Sequence, residues 1–135
     1  MVFSTKNREP FLHKELRPQV FDHIQQNCRD KEIFLDCING YHEHVHCLIS
    51  LGKDQSISKV VQLVKGESSY WINKNKLLKT KFEWQDDYFT LSISHSQVDT
   101  VRTYIKNQEE HHAKKTYLQE VDEFMNRYGF ELIQG

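Results

Sequence analysis

Three histidines fall within five positions, at His42, His44 and His46, and the apolar run Cys47-Leu48-Ile49 follows them. Far along the chain stand Tyr104 and Gln108, with His111 just beyond. On a strand, side chains alternate between faces. His42, His44 and His46 would then share one face, with Tyr41, Val45, Cys47, Ile49 and Leu51 on the other. Imidazoles on rigid strand backbone that point the same way can hold one cation. On a helix, Tyr104 and Gln108, at i and i+4, stack on one face. Two neutral imidazoles and an amide oxygen make a low-charge ligand set. It could hold Mg²⁺ or Mn²⁺ and leave positions for phosphate oxygens and water. Such an ion would act as a Lewis acid on a phosphodiester. A nearby tyrosine could attack the phosphorus and form a covalent phosphotyrosine. The unperturbed phenol has a pKa of about 10, so the site must lower it or supply a base. The covalent link conserves the phosphodiester energy, so a cut strand can be rejoined. That is strand transfer, and a simple nuclease has no need of it.

Each half also has a plainer reading. A His-x-His pair can be a polar strand face rich in histidine, and a tyrosine beside an apolar stripe can be a core-edge residue. The elements that position the residues bear on the choice. Met1 to Thr5 is a short strand, and Asn7 to Pro10 a turn. Leu12 to Cys28 has helical apolar spacing, and Pro18 starts or bends that helix near Arg17. Lys31 to Ile38 reads as a strand, joined by a tight Asn39-Gly40 turn to the strand Tyr41–Leu51. Ser56 caps an amphipathic helix that runs to about Asn75, with Gly66 a weak point within it. Leu77 to Trp84 is a basic connector, and Tyr88 to Ser94 alternates as a strand. Ser94 or Ser96 starts a helix over Gln97–His112, with Val98, Val101 and Ile105 as its buried stripe. A last helix runs from about Thr116 to Tyr128, stopped by Gly129.

The order β, α, β-hairpin, α, β predicts an α+β, ferredoxin-like βαββαβ sheet with helices on one side, plus a C-terminal helix. In that topology the first and third strands are central, so the histidine strand lies in mid-sheet.

The 135 residues suit a single domain, 1–135. No apolar run approaches the roughly 18 residues that cross a bilayer, and no secretory signal precedes the first strand. Three cysteines (Cys28, Cys37, Cys47) without Cys-x-x-Cys spacing read as reduced thiols of a cytoplasmic protein. The net charge of −1 gives no general argument for nucleic acid. Its distribution is uneven, with seven lysines from Lys53 to Lys81 against Asp54 and Glu67. Such a segment can bind phosphates or form a solvated helix face.

His44-Val45-His46 before Cys-Leu-Ile, and Tyr104-Ile-Lys-Asn-Gln108 with His111-His112 after it, resemble the single-tyrosine HUH transposases of the smallest bacterial insertion sequences. Phe3-Ser4-Thr5-Lys6-Asn7-Arg8 resembles that family's opening strand and turn. Ser58 to Gly66 resembles its second-helix segment, and Phe82-Glu83-Trp84-Gln85-Asp86-Asp87-Tyr88 the stretch before its last strand. The resemblance covers nearly the whole chain, in the family's order. It implies a ferredoxin-like fold and metal-dependent cleavage of single-stranded DNA at hairpin-marked ends. His44, His46 and Gln108 would be the ligands of Mg²⁺ or Mn²⁺. Tyr104 would be the nucleophile that takes the 5′ phosphate and frees a 3′ hydroxyl. His42 and His111 are auxiliary candidates, and Lys6, Lys59 and Lys65 are candidate DNA contacts. The resemblance also implies a homodimer, in which one chain's tyrosine helix can complete the other's histidine pair, and action at the bacterial nucleoid.

The opening strand is shorter than in a typical member, which fits a divergent copy or a late start. A small metal-storage or sensor protein would fit the histidines but not the Tyr104–Gln108 pairing, and two further alternatives stand beside the transposase. One is a domesticated relative that processes repeated palindromes. The other is a hairpin-binding module without chemistry, which would use Lys53–Lys81 for phosphates and Tyr104 for stacking.

Overall fold

The computed structural model describes residues 1–108, together with Gln119, Asp122, Glu123 and Asn126. Its strands are β1 (Val2–Thr5), β2 (Phe34–Gly40), β3 (His44–Ser50) and β4 (Trp84–Phe89). Its helices are α1 (Leu16–Asp30), α2 (Ile57–Lys74) and α3 (Val98–Lys106). The strands form one antiparallel sheet in the order β2-β3-β1-β4. Up to β4 the chain order is βαββαβ with β1 and β3 central, the ferredoxin-like arrangement expected.

Alternation along the strands sorts the two faces. Phe3 pairs with Val45, and both side chains, with Cys47, enter the core. Helix α1 adds Leu16, Val20, Ile24 and Cys28, spaced four apart, and α2 adds Val60, Val64 and Ile72. Pro18 stands in the first turn of α1, where its missing N–H breaks no intrahelical bond. Ser56 caps α2, its side chain accepting from the Lys59 amide at 3.2 Å. Trp84 closes the core edge-on to Phe3 and Phe82, at centroid distances of 4.6 and 4.7 Å. Its indole N–H donates to the buried Ser68 hydroxyl at 2.9 Å.

Helices α1 and α2 are therefore the pair on one side of the sheet. Helix α3 lies across the other side, against β2 and β3, with Val101 and Ile105 buried.

Three boundaries differ from expectation. Asn39 and Gly40 are not the hairpin turn. They pair with His46 and Val45 as the end of β2, and Tyr41-His42-Glu43 makes the connection. Gly40 is needed for close approach, because a Cβ there would collide with the His44 carbonyl oxygen. Strand β2 starts at Phe34 rather than Lys31. The last strand is Trp84–Phe89, not Tyr88–Ser94. The register Val2 with Phe89 and Thr5 with Trp84 sets it, so Thr90 to Ile93 run past the paired part of β1. The expected helix from Thr116 to Tyr128 lies outside the continuously described residues, as does the Glu109–His112 end of the preceding one. No helix among the described residues is long and apolar enough to cross a membrane.

Candidate active site

His44 and His46 are i and i+2 on β3, a central strand, and leave the sheet on the face opposite Val45 and Cys47. Both are buried, and their rings meet edge to face at 5.0 Å. Over them lies the end of α3. Tyr104 sets its ring edge-on to His46, centroids 5.7 Å apart. Gln108, just past the last residue of α3, is fully buried, with its Oε1 3.1 Å from His44 Nε2. Its Nε2 donates to the Tyr104 carbonyl at 3.2 Å. The structure thus brings Tyr104, Gln108, His44 and His46 together within one chain.

Sequence reasoning did not single out Glu43, whose carboxylate sits 2.9 Å from His44 Nδ1. A carboxylate only accepts, so Nδ1 carries a proton and donates it. In a neutral ring, Nε2 is then the lone-pair nitrogen, and it faces the oxygen of Gln108. Two lone pairs at that distance need a proton or a cation between them. Turning the Gln108 amide over would supply a donor to His44, but it would set two oxygens against each other at Tyr104. Donors about 2.1 Å from a six-coordinate ion, at right angles, lie about 3 Å apart. The His44–Gln108 spacing of 3.1 Å is compatible with two ligands of a small divalent cation, and equally with an N–H···O hydrogen bond from a doubly protonated ring. Among the described residues, no group of three His, Cys, Asp or Glu side chains could hold a metal ion. Beside the histidine pair, the structure places the Gln108 amide oxygen against His44.

Other candidates fall elsewhere. His42 does not share the ligand face. It belongs to the β2–β3 connection, where strand alternation no longer applies. Its Nδ1 lies 3.1 Å from Arg17 Nη1 and 3.3 Å from the Leu12 carbonyl, on the side of α1. His111 is outside the described residues. Lys6 pairs with Glu83 at 2.8 Å, and that carboxylate raises the ammonium's pKa. Lys65 donates to the Gln85 and Asp86 carbonyls, and burial lowers its pKa. Lys59 is exposed in the first turn of α2. The three candidate lysines thus differ, two serving the β4 edge and one facing solvent. The Cys47 thiol, pushed up to about 12 by burial, is an inert part of the core.

Helix α3 is held by contacts that no local pattern announces. The Arg102 guanidinium donates Nε and Nη2 to the two oxygens of Asp36 on β2, at 2.7 and 2.6 Å. Its Nη1 reaches Asp99 at 2.8 Å. Asn39 donates from Nδ2 to the Lys106 carbonyl at 3.0 Å. Asn39 was visible in the sequence only as a turn residue.

The family model described as "Transposase IS200 like" matches residues 1–108. Two solved structures are similar. One is a crystal structure from Deinococcus radiodurans R1, titled as a putative transposase. It has a TM-score of 0.64 and 22% identity, over 79% of this chain and 86% of that one. The other is a REP-associated tyrosine transposase bound to a REP hairpin. It has a TM-score of 0.55 and 21% identity, over 77% of this chain and 59% of that one. At these identities the likeness is one of fold. No curated protein matches the sequence.

Proposed function

The chain belongs to the IS200-like transposase family, and we propose that it cuts and rejoins single-stranded DNA at hairpin-marked ends through a tyrosine nucleophile. One observation carries the reading. Gln108 Oε1 lies 3.1 Å from His44 Nε2 while, four residues earlier on α3, Tyr104 packs its ring against His46. A plain structural role for Tyr104 asks for no amide oxygen aimed at an imidazole.

In this reading His44, His46 and Gln108 hold Mg²⁺ or Mn²⁺, which when bound supplies Lewis-acid polarisation of the scissile phosphate. Glu43 keeps the proton on His44 Nδ1, so that Nε2 is free to ligate. The Tyr104 phenol gives up its proton and its oxygen attacks the phosphorus. The bond from phosphorus to the 3′ oxygen breaks, and that oxygen takes a proton to become a hydroxyl. The DNA 5′ phosphate stays on Tyr104 as a phosphodiester. Attack on it by a 3′ hydroxyl rejoins a strand and returns the phenol. Lys59, exposed on α2, is a contact for DNA phosphates, whereas Lys6 and Lys65 are engaged at the β4 edge. The homodimer implied by the family resemblance stands as part of this proposal, with each chain completing its own site.

A second reading keeps the chemistry and changes the substrate. The fold neighbour bound to a REP hairpin favours a relative that processes repeated palindromes. Strand-transfer assays that offer either insertion-sequence ends or repeated palindromes separate the two. Both readings require that Tyr104→Phe abolish the covalent protein–DNA adduct while hairpin binding persists, and that chelation stop cleavage. An adduct formed at normal yield by Tyr104→Phe, or undiminished cleavage in excess EDTA, would overturn the mechanism.

A further inference from the structure

We propose that Asp36 and Arg102 are positioning residues whose two-pronged contact fixes α3 at the register that sets Tyr104 and Gln108 over the chain's own histidine pair. The proposal rests on the functional reading above.

The sheet is shaped for this contact. Strand β2 has a register shift between Leu35 and Cys37. Leu35 pairs with Ile49 and Cys37 with Leu48, so Asp36 is the extra residue. Asn39 pairs with His46 and shares its face, and strict alternation back from Asn39 would turn Asp36 into the apolar core. The bulge turns its carboxylate to α3 instead, where both oxygens meet the Arg102 fork. Planar guanidinium and carboxylate groups joined by two parallel bonds fix orientation as well as distance. The guanidinium holds the Asp36 carboxyl below its ordinary pKa, so the pair stays charged at neutral pH.

Helix α3 needs such a device. It has nine residues, and only Val101 and Ile105 among them are buried. A helix that short is marginal alone, and apolar contacts do not fix rotation or register. A slip of one residue moves the helix by about 1.5 Å and turns it by about 100°, enough to carry Tyr104 off His46. Arg102 stands two residues before Tyr104, and the Lys106 carbonyl held by Asn39 stands two after it. The nucleophile is therefore bracketed by two directional anchors, both on β2.

The test needs no DNA target. In the metal-free protein, NMR contacts between the Tyr104 ring and the His46 imidazole report the register, and the Phe3–Trp84 contact reports the core. Affinity for Mn²⁺ alone reports whether Gln108 still joins the histidines. Asp36→Ala and Arg102→Ala are expected to lose the Tyr104–His46 contact, keep the Phe3–Trp84 contact, and weaken Mn²⁺ binding by roughly tenfold or more. The charge swap Asp36→Arg with Arg102→Asp should restore both signals. Arg102→Lys, which keeps charge but gives up the fork, should restore neither fully. The proposal is overturned if either alanine variant keeps the Tyr104–His46 contact and wild-type Mn²⁺ affinity. It is equally overturned if the core contact vanishes in the alanine variants and Arg102→Lys behaves as wild type. Failure of the wild-type protein to bind Mn²⁺ would sink the functional reading instead, and the ring contact would still decide the latch.

Discussion

In the proposed site, which nitrogen of His44 would ligate a metal is decided by its neighbour in the chain. Glu43 holds Nδ1–H at 2.9 Å, and the ring is thereby turned so that Nε2 meets Gln108. Glu43→Ala removes the orienting group and leaves the ring free to change tautomer. Mn²⁺ affinity should then fall by about 10–100-fold, with some loss of Tm as well, because the buried His44 Nδ1–H loses its acceptor. Titration calorimetry of the two proteins checks this, and equal affinities would mean that Glu43 does not tune the ligand. Residues of this kind mark the limit of the sequence. His44 and His46 were legible because a strand repeats every two residues and places both on one face. Glu43 was passed over because the same rule sets it one step out of phase, and only the turn before β3 lets its carboxylate curl back. His42 misled for the converse reason. It has the right spacing but lies two residues before the strand, where the spacing has no meaning.

At the scale of elements, helices were easier to place than strands. The stripe Leu16, Val20, Ile24, Cys28 defines α1 locally, and Ser56 marks the start of α2. Strand β4 depends on a partner distant in sequence. The alternation over Tyr88–Ser94 is real, yet the ladder to β1 fixes the strand as Trp84–Phe89. Thr90 to Ile93 instead line a cleft of about 270 Å³ with Leu48 to Leu51. Gly66, flagged as a weak point in α2, is exposed within the helix, and nothing lies within 4 Å of where a Cβ would stand. Gly66→Ala should therefore stabilise the fold by about 0.5–1 kcal/mol and raise Tm by a few degrees. A melting curve that falls instead would mean that the α2 backbone at this position is not free to take a side chain. Gly40→Ala is the opposite case, since the His44 carbonyl occupies the space and the hairpin carrying the histidines would have to open.

For the whole molecule, the question is where the two halves of the site come from. They are far apart in sequence, His44 and His46 on β3 and Tyr104 and Gln108 at the end of α3, so no motif search could say whether they share a chain. The connection from Phe89 to Val98 does not decide it, because an extended segment of that length spans tens of ångströms. Within the single chain the contacts close on one another. Asp36 and Asn39 on β2 hold the same helix whose Tyr104 meets His46 on β3, and β2 and β3 are one hairpin. A helix exchanged between copies would remake the same contacts across a dimer, so experiment decides between the two arrangements. Two inactive variants test this directly: Tyr104→Phe, and the double variant His44→Ala with His46→Ala. If each chain completes its own site, an equimolar mixture still forms no covalent adduct with single-stranded hairpin DNA, because neither chain carries an intact set. If the sites are shared, random pairing puts one intact site in half of the dimers, and adduct returns at roughly a quarter of the wild-type yield. Recovery on mixing would reject the one-chain site while leaving the tyrosine chemistry standing. Absence of recovery, with each variant folded and able to bind the hairpin, ties the nucleophile to its own histidines.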